Sequence, residues 1–504
     1  MKRKAALLSS ALMVCIMMFA FGGCNMSDYD EYGDKNANRA VPSDSLTLEI
    51  SKDSSGKTIY GIGTELDPHF LYANVGRNGM DNEGNDWICK EEDWDNIIVP
   101  RIKEMKLSRL RVMLLPSWYA PAETNYVSKN YTWDSQEMQS LYKVLDLAQE
   151  CGMDVNITLW GADANWIKDG SGWVDIYKDR TVFCILFADA IKYLTETKEY
   201  DCLNEITPFN EPNSLFYALG LVKGKKEYVD MCIELDSVFK EYGIRDKVKF
   251  NLSDDARDAG WLANTLENLE GICDIVNSHT YDFDATMSNN DIQSTSSYNL
   301  KEYSEVFNEY GLPHIFGEFG TNNIGENSHT CANRWTAERG LQIARIALNM
   351  LYSGSSGFSY WVLFSQYYSK TDTQIMEMGL WGFADEAYAC RPVYYSYSLF
   401  SRFTLKESDI FVIPMTDDNI IAIALRHEND WTYLVVNDST EAKKISFLNN
   451  TKFPDTMDKY LYNQNDVPEN NNLIESSGKI NADGRVLTDT LLPMSFTVYT
   501  TLEG

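Results

Sequence analysis

The sequence predicts an α/β fold: an eight-stranded (β/α)8 barrel followed by a C-terminal antiparallel β-sandwich domain. Three observations predict it. Eight short apolar runs alternate with longer helical stretches between residues 57 and 403. No phosphate-binding glycine fingerprint accompanies them, which disfavours a doubly wound sheet; "GIG" alone is no such fingerprint. After "RPVYYSYSLFSRFT" the texture changes to short segments of alternating polarity with little helix.

The chain opens with Lys2, Arg3 and Lys4, an apolar run from Ala5 to Phe21, and then Gly22-Gly23-Cys24. A basic start, an apolar stretch and small residues in that order mark an export segment. It resembles a bacterial lipoprotein signal. The resemblance implies that residues 1–23 are removed, that Cys24 carries the lipid, and that residues 24–44 form a flexible tether. An ordinary secretory signal or an uncleaved anchor helix is the alternative reading. Either way the expected location is extracytoplasmic, and under the first reading the protein is held at a membrane by its lipid alone, at the cell surface or in the periplasm. No later segment is long and apolar enough to span a bilayer.

The barrel is assigned to residues 45–403, with 45–51 ("SLTLEIS" and its neighbours) counted either with it or with the β domain of residues 404–504. Its strand candidates are "TIYGIG", "SRLRVMLL", "DVNITLW", "NEITPF", "KVKFNL", "CDIVNSH", "PHIFGEFG" and "GFSYWVLF". Between them lie segments with apolar residues near 3.6 spacing, such as "SQEMQSLYKVLDLAQEC" and "RWTAERGLQIARIALNMLYSG", several ending at glycine. In the last domain, "NIIAIALRHENDWTYLVVNDS" and "LLPMSFTVYTT" read as antiparallel strands.

Composition narrows the partners. With 74 acidic against 44 basic residues and a formal charge of −30, the summed field repels nucleic acid and anionic lipid, so a neutral partner is expected. Eight cysteines follow Cys24 without any C-x-x-C pair, and five histidines occur without H-E-x-x-H, so neither a metal site nor a cofactor is expected. "GSSG" near Gly354 is not G-x-S-x-G, and no Walker loop occurs.

In a parallel barrel the C-terminal strand ends converge on one face, where reactive groups belong. Glu211, in "EITPFNEPNSLF", terminates the fourth apolar run, and Glu318, in "PHIFGEFG", terminates the seventh. Two carboxylates across one cleft are what glycosidic cleavage needs: one protonates the leaving oxygen, the other attacks the anomeric carbon or activates water. Their environments must drive their protonation apart, since two ionised carboxylates leave no proton to donate.

On these residues the chain resembles the retaining glycoside hydrolases of clan A, which carry an acid/base and a nucleophile glutamate on strands four and seven of a (β/α)8 barrel. Asn210-Glu211-Pro212 matches the strand-four motif and Glu318 in "FGEFG" the strand-seven position. The resemblance implies that Glu211 is acid/base, that Glu318 is nucleophile, and that Asn210 binds substrate. It further implies an arginine near the nucleophile at Arg111 ("SRLRVML"), a strand-six H-x-Y at His279 and Tyr281 ("NSHTYDF"), and a tryptophan flooring the first sugar subsite at Trp361 ("SYWVLF"). The third strand departs from family five, with Trp160 where that family places a histidine. "ITLWGADANWIK" is more like the tryptophan-flanked loop of family 30 or 39.

Each position has a plainer reading. Arg111 could sit on the surface, but a charge inside an apolar strand requires a carboxylate partner. His279 could be a core histidine, and Trp361 could be packing. Trp118, Tyr119, Trp160, Trp166 and Trp381 fall near loops of the top face, where rings stack on sugars, although some must belong to the core. The implied activity is hydrolysis of a neutral β-linked oligo- or polysaccharide by double displacement. The alternative is a surface glycan-binding lipoprotein on a catalytically silent barrel.

Overall fold

A computed structural model describes residues 41–68, 89–169, 177–214, 224–296, 299–321, 330–367 and 375–504. The export segment, Cys24 and most of the tether lie outside these residues. Among the described residues no helix is long and apolar enough to cross a membrane.

All eight expected runs are strands of one closed parallel barrel. They are β2 (Gly61–Glu65), β3 (Arg109–Leu114), β4 (Asp154–Leu159), β5 (Leu203–Thr207), β6 (Lys249–Ala256), β7 (Ile275–Thr280), β8 (His314–Phe319) and β9 (Gly357–Tyr360). The barrel closes through β2 and β9, with Gly61 opposite Gly357 and Thr64 opposite Tyr360. Strand residues are almost uniformly buried, because the lumen covers one face and the helices the other. The helices are locally specified. In Gln136–Cys151, for instance, the Ser135 side chain accepts from Met138 N at the start, and left-handed Gly152 ends the run.

The lumen is unusually polar for a barrel core, which branched apolar side chains normally fill. Arg109 donates to Glu205 Oε2 at 2.8 Å and to Ser359 Oγ at 2.6 Å, while Asn251 donates to the same Glu205 oxygen at 3.0 Å. This layer explains the glycines of "YGIG": a Cβ on Gly63 would stand 2.4 Å from Arg109 Cγ. Side-chain bulk is excluded there so that a buried arginine can cross the lumen.

The C-terminal domain packs two sheets. The larger, in the order β10 (Asp409–Val412), β11 (Ile420–His427), β12 (Asp430–Asn437), β17 (Ser495–Thr500), β14 (Thr456–Asn463), β15 (Gly478–Asn481), is antiparallel throughout. The smaller contains β13 (Lys443–Leu448), β16 (Val486–Leu491) and β1 (Leu46–Glu49), the last running parallel to β13 with Leu46 opposite Ile445. Leu48, Tyr433, Phe447 and Tyr499 fill the space between the sheets. The outer face of the larger sheet is buried too. Ile423, Leu434, Phe496 and Val498 join the main core, and Phe400 of helix Pro392–Phe403 stacks on Phe496 at 4.7 Å. Arg345 of helix Ala337–Tyr352 pairs with Asp438, and Asn289 Nδ2 donates to Asp418 O at 2.6 Å, so polar contacts also join the barrel to this domain.

Candidate active site

Asn210-Glu211-Pro212 forms a tight turn just beyond β5. Asn210 N donates to Leu159 O of β4 at 2.9 Å, and Asn213 exchanges hydrogen bonds with Ala256 N and O at 2.8 and 3.1 Å, so the turn is pinned to both neighbouring strands. Glu211 has φ of 43°, in the left-handed region, while Pro212 disfavours the helical region for the residue before it. Such a backbone costs on the order of 1 kcal/mol and persists where the surroundings dictate it. Its effect here is to aim the carboxylate across the barrel mouth.

Glu318 lies in β8 next to Gly317, whose N donates to Asn277 Oδ1 at 2.8 Å; a Cβ at 317 would approach that oxygen to 2.1 Å. The second carboxylate, preceded by a glycine, therefore depends on a close contact with β7. Glu318 is 5% exposed, and the Glu211 side chain, nearer the opening, is 23% exposed. One oxygen of each, together with a nitrogen of His279, lies within 4.8 Å of the other two. The sequence separation of more than a hundred residues is thus closed by the fold.

Arg111 is completely buried and reaches four acceptors: Glu318 Oε1 at 2.5 Å, Asn210 Oδ1 at 2.6 Å, Glu65 Oε2 at 2.8 Å and Asp254 Oδ2 at 3.0 Å. Only a planar fork serves so many from one point. Tyr281 donates to Glu318 Oε2 at 2.9 Å, and His279 Nδ1 lies 2.9 Å from Glu211 Oε1 and 3.6 Å from Glu318 Oε2. Trp361, just beyond β9, is nearly buried and stacks on half-buried Trp160, centroids 5.6 Å apart, with Met376 and Met378 in the same cluster. Every site residue expected from the sequence within the described region is thus gathered at the C-terminal strand ends; Cys24 lies outside it. Of the other aromatic candidates, Trp118, Tyr119 and Trp381 are core residues, and Trp166 donates to Ala120 O at 2.8 Å in the wall of a loop.

Four residues of this network went unread in the sequence: Glu65, Asp67, Asp254 and Asn277. Asp254 bridges Arg111 and His279, with His279 Nε2 3.1 Å from its Oδ1. Beside Arg111, Asp67 Oδ1 accepts from Met113 N at 2.9 Å, and Glu65 Oε2 accepts from Arg111 Nη1 at 2.8 Å. The signal that could have found the three acidic ones is the one used for Arg111: charged residues within or abutting apolar strands, in "GTELD" and "NLSDD".

Burial dominates the electrostatics. It pushes Glu65 well above the usual carboxylate range against the pull of Arg111, and Asp67 to about 6. Asp254 is the exception, held below its ordinary value because Arg111 and His279 outweigh its burial. Burial opposes the charged form of His279, yet Glu318 and Asp254 raise it well above the ordinary imidazole value, so it is cationic. Burial likewise raises Glu318, to about 7, with Glu211 and Glu65 adding to the rise and His279 and Arg111 opposing it. Two carboxyl groups this close release their second proton as a pair. Arg111 and Tyr281 both donate to Glu318, and hydrogen bonds to the charged form favour it against that rise. Glu211, His279 and Glu318 could geometrically hold a metal ion, but Arg111 and cationic His279 already supply positive charge there, which suits proton transfer better.

The fold places the chain in a defined structural class, a parallel eight-stranded barrel carrying a β-sandwich and paired carboxylates at the strand ends. Solved structures share the fold. The chain is similar in fold to a glycoside hydrolase family 30 subfamily 8 xylanase from Clostridium acetobutylicum, at 13% identity and a TM-score of 0.63, over 91% of this chain and 99% of that one. It is similar to a conserved exported protein from Bacteroides fragilis, at 16% identity and 0.63, over 90% and 100%. It also resembles the α-L-arabinofuranosidase from Thermotoga maritima, at 14% identity and 0.61, over 91% and 99%. No family model and no curated protein matches the chain.

Proposed function

We propose that this protein is a retaining β-glycosidase acting on a neutral oligo- or polysaccharide outside the cytoplasm, held at a membrane through lipid on Cys24. The observation that carries the reading is the spacing of the two carboxylates: an oxygen of each lies within 4.8 Å of the other, nearer the about 5–5.5 Å of double displacement than the about 6.5–9.5 Å that leaves room for an activated water. Glu318 attacks the anomeric carbon while Glu211 protonates the departing oxygen; water then releases the sugar, with Glu211 as base. Arg111 and Tyr281 keep the nucleophile charged and oriented. The Asn210 carbonyl is held by Arg111, which leaves its NH2 as the end offered to a sugar hydroxyl, and Trp160 and Trp361 supply an apolar wall for the ring.

The test is trapping with 2-deoxy-2-fluoro β-glycosyl fluorides of glucose, xylose and galactose, followed by peptide mass spectrometry, beside proton NMR of the first-formed anomer from β-linked polysaccharides. A glycosyl adduct on the peptide containing Glu318, with a β-anomer formed first, is expected. An α-anomer formed first would overturn the mechanism. Retention of the protein on polysaccharide without any turnover would favour the binding-protein reading instead.

A further inference from the structure

We propose that Asp254, acting through His279, is a positioning residue that readies Glu211 to give up and take back its proton; the proposal rests on the glycosidase reading above.

The geometry ties Asp254 to Glu211 twice. Its Oδ1 lies 3.1 Å from His279 Nε2, and the opposite ring nitrogen lies 2.9 Å from Glu211 Oε1. Its Oδ2 accepts from the Glu211 backbone N at 3.3 Å and from Arg111 Nη2 at 3.0 Å. Asn277 donates to Oδ1 as well. Asp254 is fully buried and meets no opening, so it acts on substrate only through these neighbours.

The backbone is bent to put it there. Ser253 and Asp254 have φ of 79° and 50°, and the pairing of β6 with β7 shifts register between Ser253 and Asp255. Two successive left-handed residues other than glycine are costly in a strand, and a bulge of this kind re-aims a side chain. Here it turns Asp254 into the lumen toward His279.

The charged and titratable groups facing His279 come from five strands or their ends: Asp254 on β6, Glu211 beyond β5, Glu318 on β8, Arg111 on β3, and Tyr281 beyond β7, with Glu65 of β2 behind Arg111. The imidazolium has a carboxylate on either side. In the first step the Glu211 proton passes to the glycosidic oxygen as the C1–O bond breaks and a Glu318 oxygen bonds to C1. Glu211 is left anionic beside an N–H cation already in place, so its charge is met without reorganisation. In the second step a water oxygen bonds to C1, the water's proton moves to Glu211, and the bond from C1 to Glu318 breaks. Asp254 stays ionised throughout and keeps His279 charged.

The test compares wild type, Asp254→Asn and His279→Gln on paired phenyl and 2,4-dinitrophenyl β-glycosides of glucose, xylose and cellobiose, with pH profiles of kcat/KM. A dinitrophenolate leaves without proton donation; a phenolate does not. Asp254→Asn should lower kcat/KM about a hundredfold more for the phenyl than for the dinitrophenyl substrate. It should also move the falling limb of the pH profile upward, since no cation then stands beside the group that must stay protonated. His279→Gln should give the same signature, and it carries the test should Asp254→Asn fail to fold by circular dichroism. Equal losses on both leaving groups with an unmoved limb would overturn the proposal. Wild-type inactivity on every glycoside would instead remove the glycosidase reading, and this proposal with it.

Discussion

Replacing Arg111 with methionine removes a cation that touches three buried carboxyl groups, Glu318, Glu65 and Asp254, at 2.5, 2.8 and 3.0 Å. Methionine fills much of the vacated volume, so the dominant loss is electrostatic. Breaking a buried ion pair from one side costs about 3–5 kcal/mol. An independent route gives the same size: a carboxyl with an ordinary value near 3.9, forced to take up a proton at pH 7, costs about 4 kcal/mol at 1.36 kcal/mol per unit. The sign with pH follows from Asp254, whose folded value is depressed by Arg111 and His279 against its burial. Its contribution is therefore present above the unfolded value and is lost as pH falls through the folded one. In the variant a carboxyl must take up a proton on folding, so the gap between wild type and variant should be about 4 kcal/mol at pH 7 and shrink toward pH 4, where protonation is nearly free, leaving there only Asp254's own share, which is lost below pH 4. Urea unfolding followed by tryptophan fluorescence at both pH values measures it. Equal stabilities at pH 7, or a gap of the same size at pH 4, would refute the electrostatic account.

Other outcomes follow from the same geometry. Glu318→Ala should lower turnover by at least about a thousandfold on every substrate, and undiminished hydrolysis would remove it as nucleophile. Glu211→Ala should retain burst release of dinitrophenolate, accumulate the glycosyl intermediate and be rescued by azide; failure of rescue would count against its role as acid/base. Tyr281→Phe deletes one donor to Glu318 and should cost about 1.5–3 kcal/mol in kcat/KM, roughly ten- to a hundredfold, with the melting temperature little changed. Glu318 must be ionised to attack, and burial raises it to about 7, so kcat/KM should fall as pH drops through neutrality; a plateau extending down to pH 5 would contradict the assignment.

The barrel was legible because its strands are covered on both faces, which writes each as an unbroken apolar run, and because capped amphipathic helices separate them. Arg111 stood out as a charge inside such a run, and Glu211 and Glu318 as carboxylates at two run ends. Asp254 did not: in "NLSDDARD" it reads as a loop residue, since only the β6 bulge and its left-handed backbone turn it inward. Glu65 and Asp67 were hidden similarly, because their partners, Arg111 and the backbone N of Met113, lie on a strand more than forty residues away. Counting aromatic rings could not separate Trp361 and Trp160, at the mouth, from Trp118 and Trp381, in the core. The doubly covered strands of the β domain likewise depend on a neighbour, helix Pro392–Phe403, that sequence periodicity alone does not assign to them.

Strand β1 meets β13 in parallel, with Thr47 beside Ser446, across almost four hundred residues of intervening chain. The barrel is therefore an insert within the smaller sheet, clasped between the two arms of the polypeptide. During synthesis that clasp can shut only once β13 has emerged, so any fragment cut at residue 404 forfeits the partner of β1 and the cover over its final helix. Catalytic barrel and β domain should accordingly succeed or fail as one cooperative body, and transplanting either alone would expose apolar surface that the intact chain never shows to water.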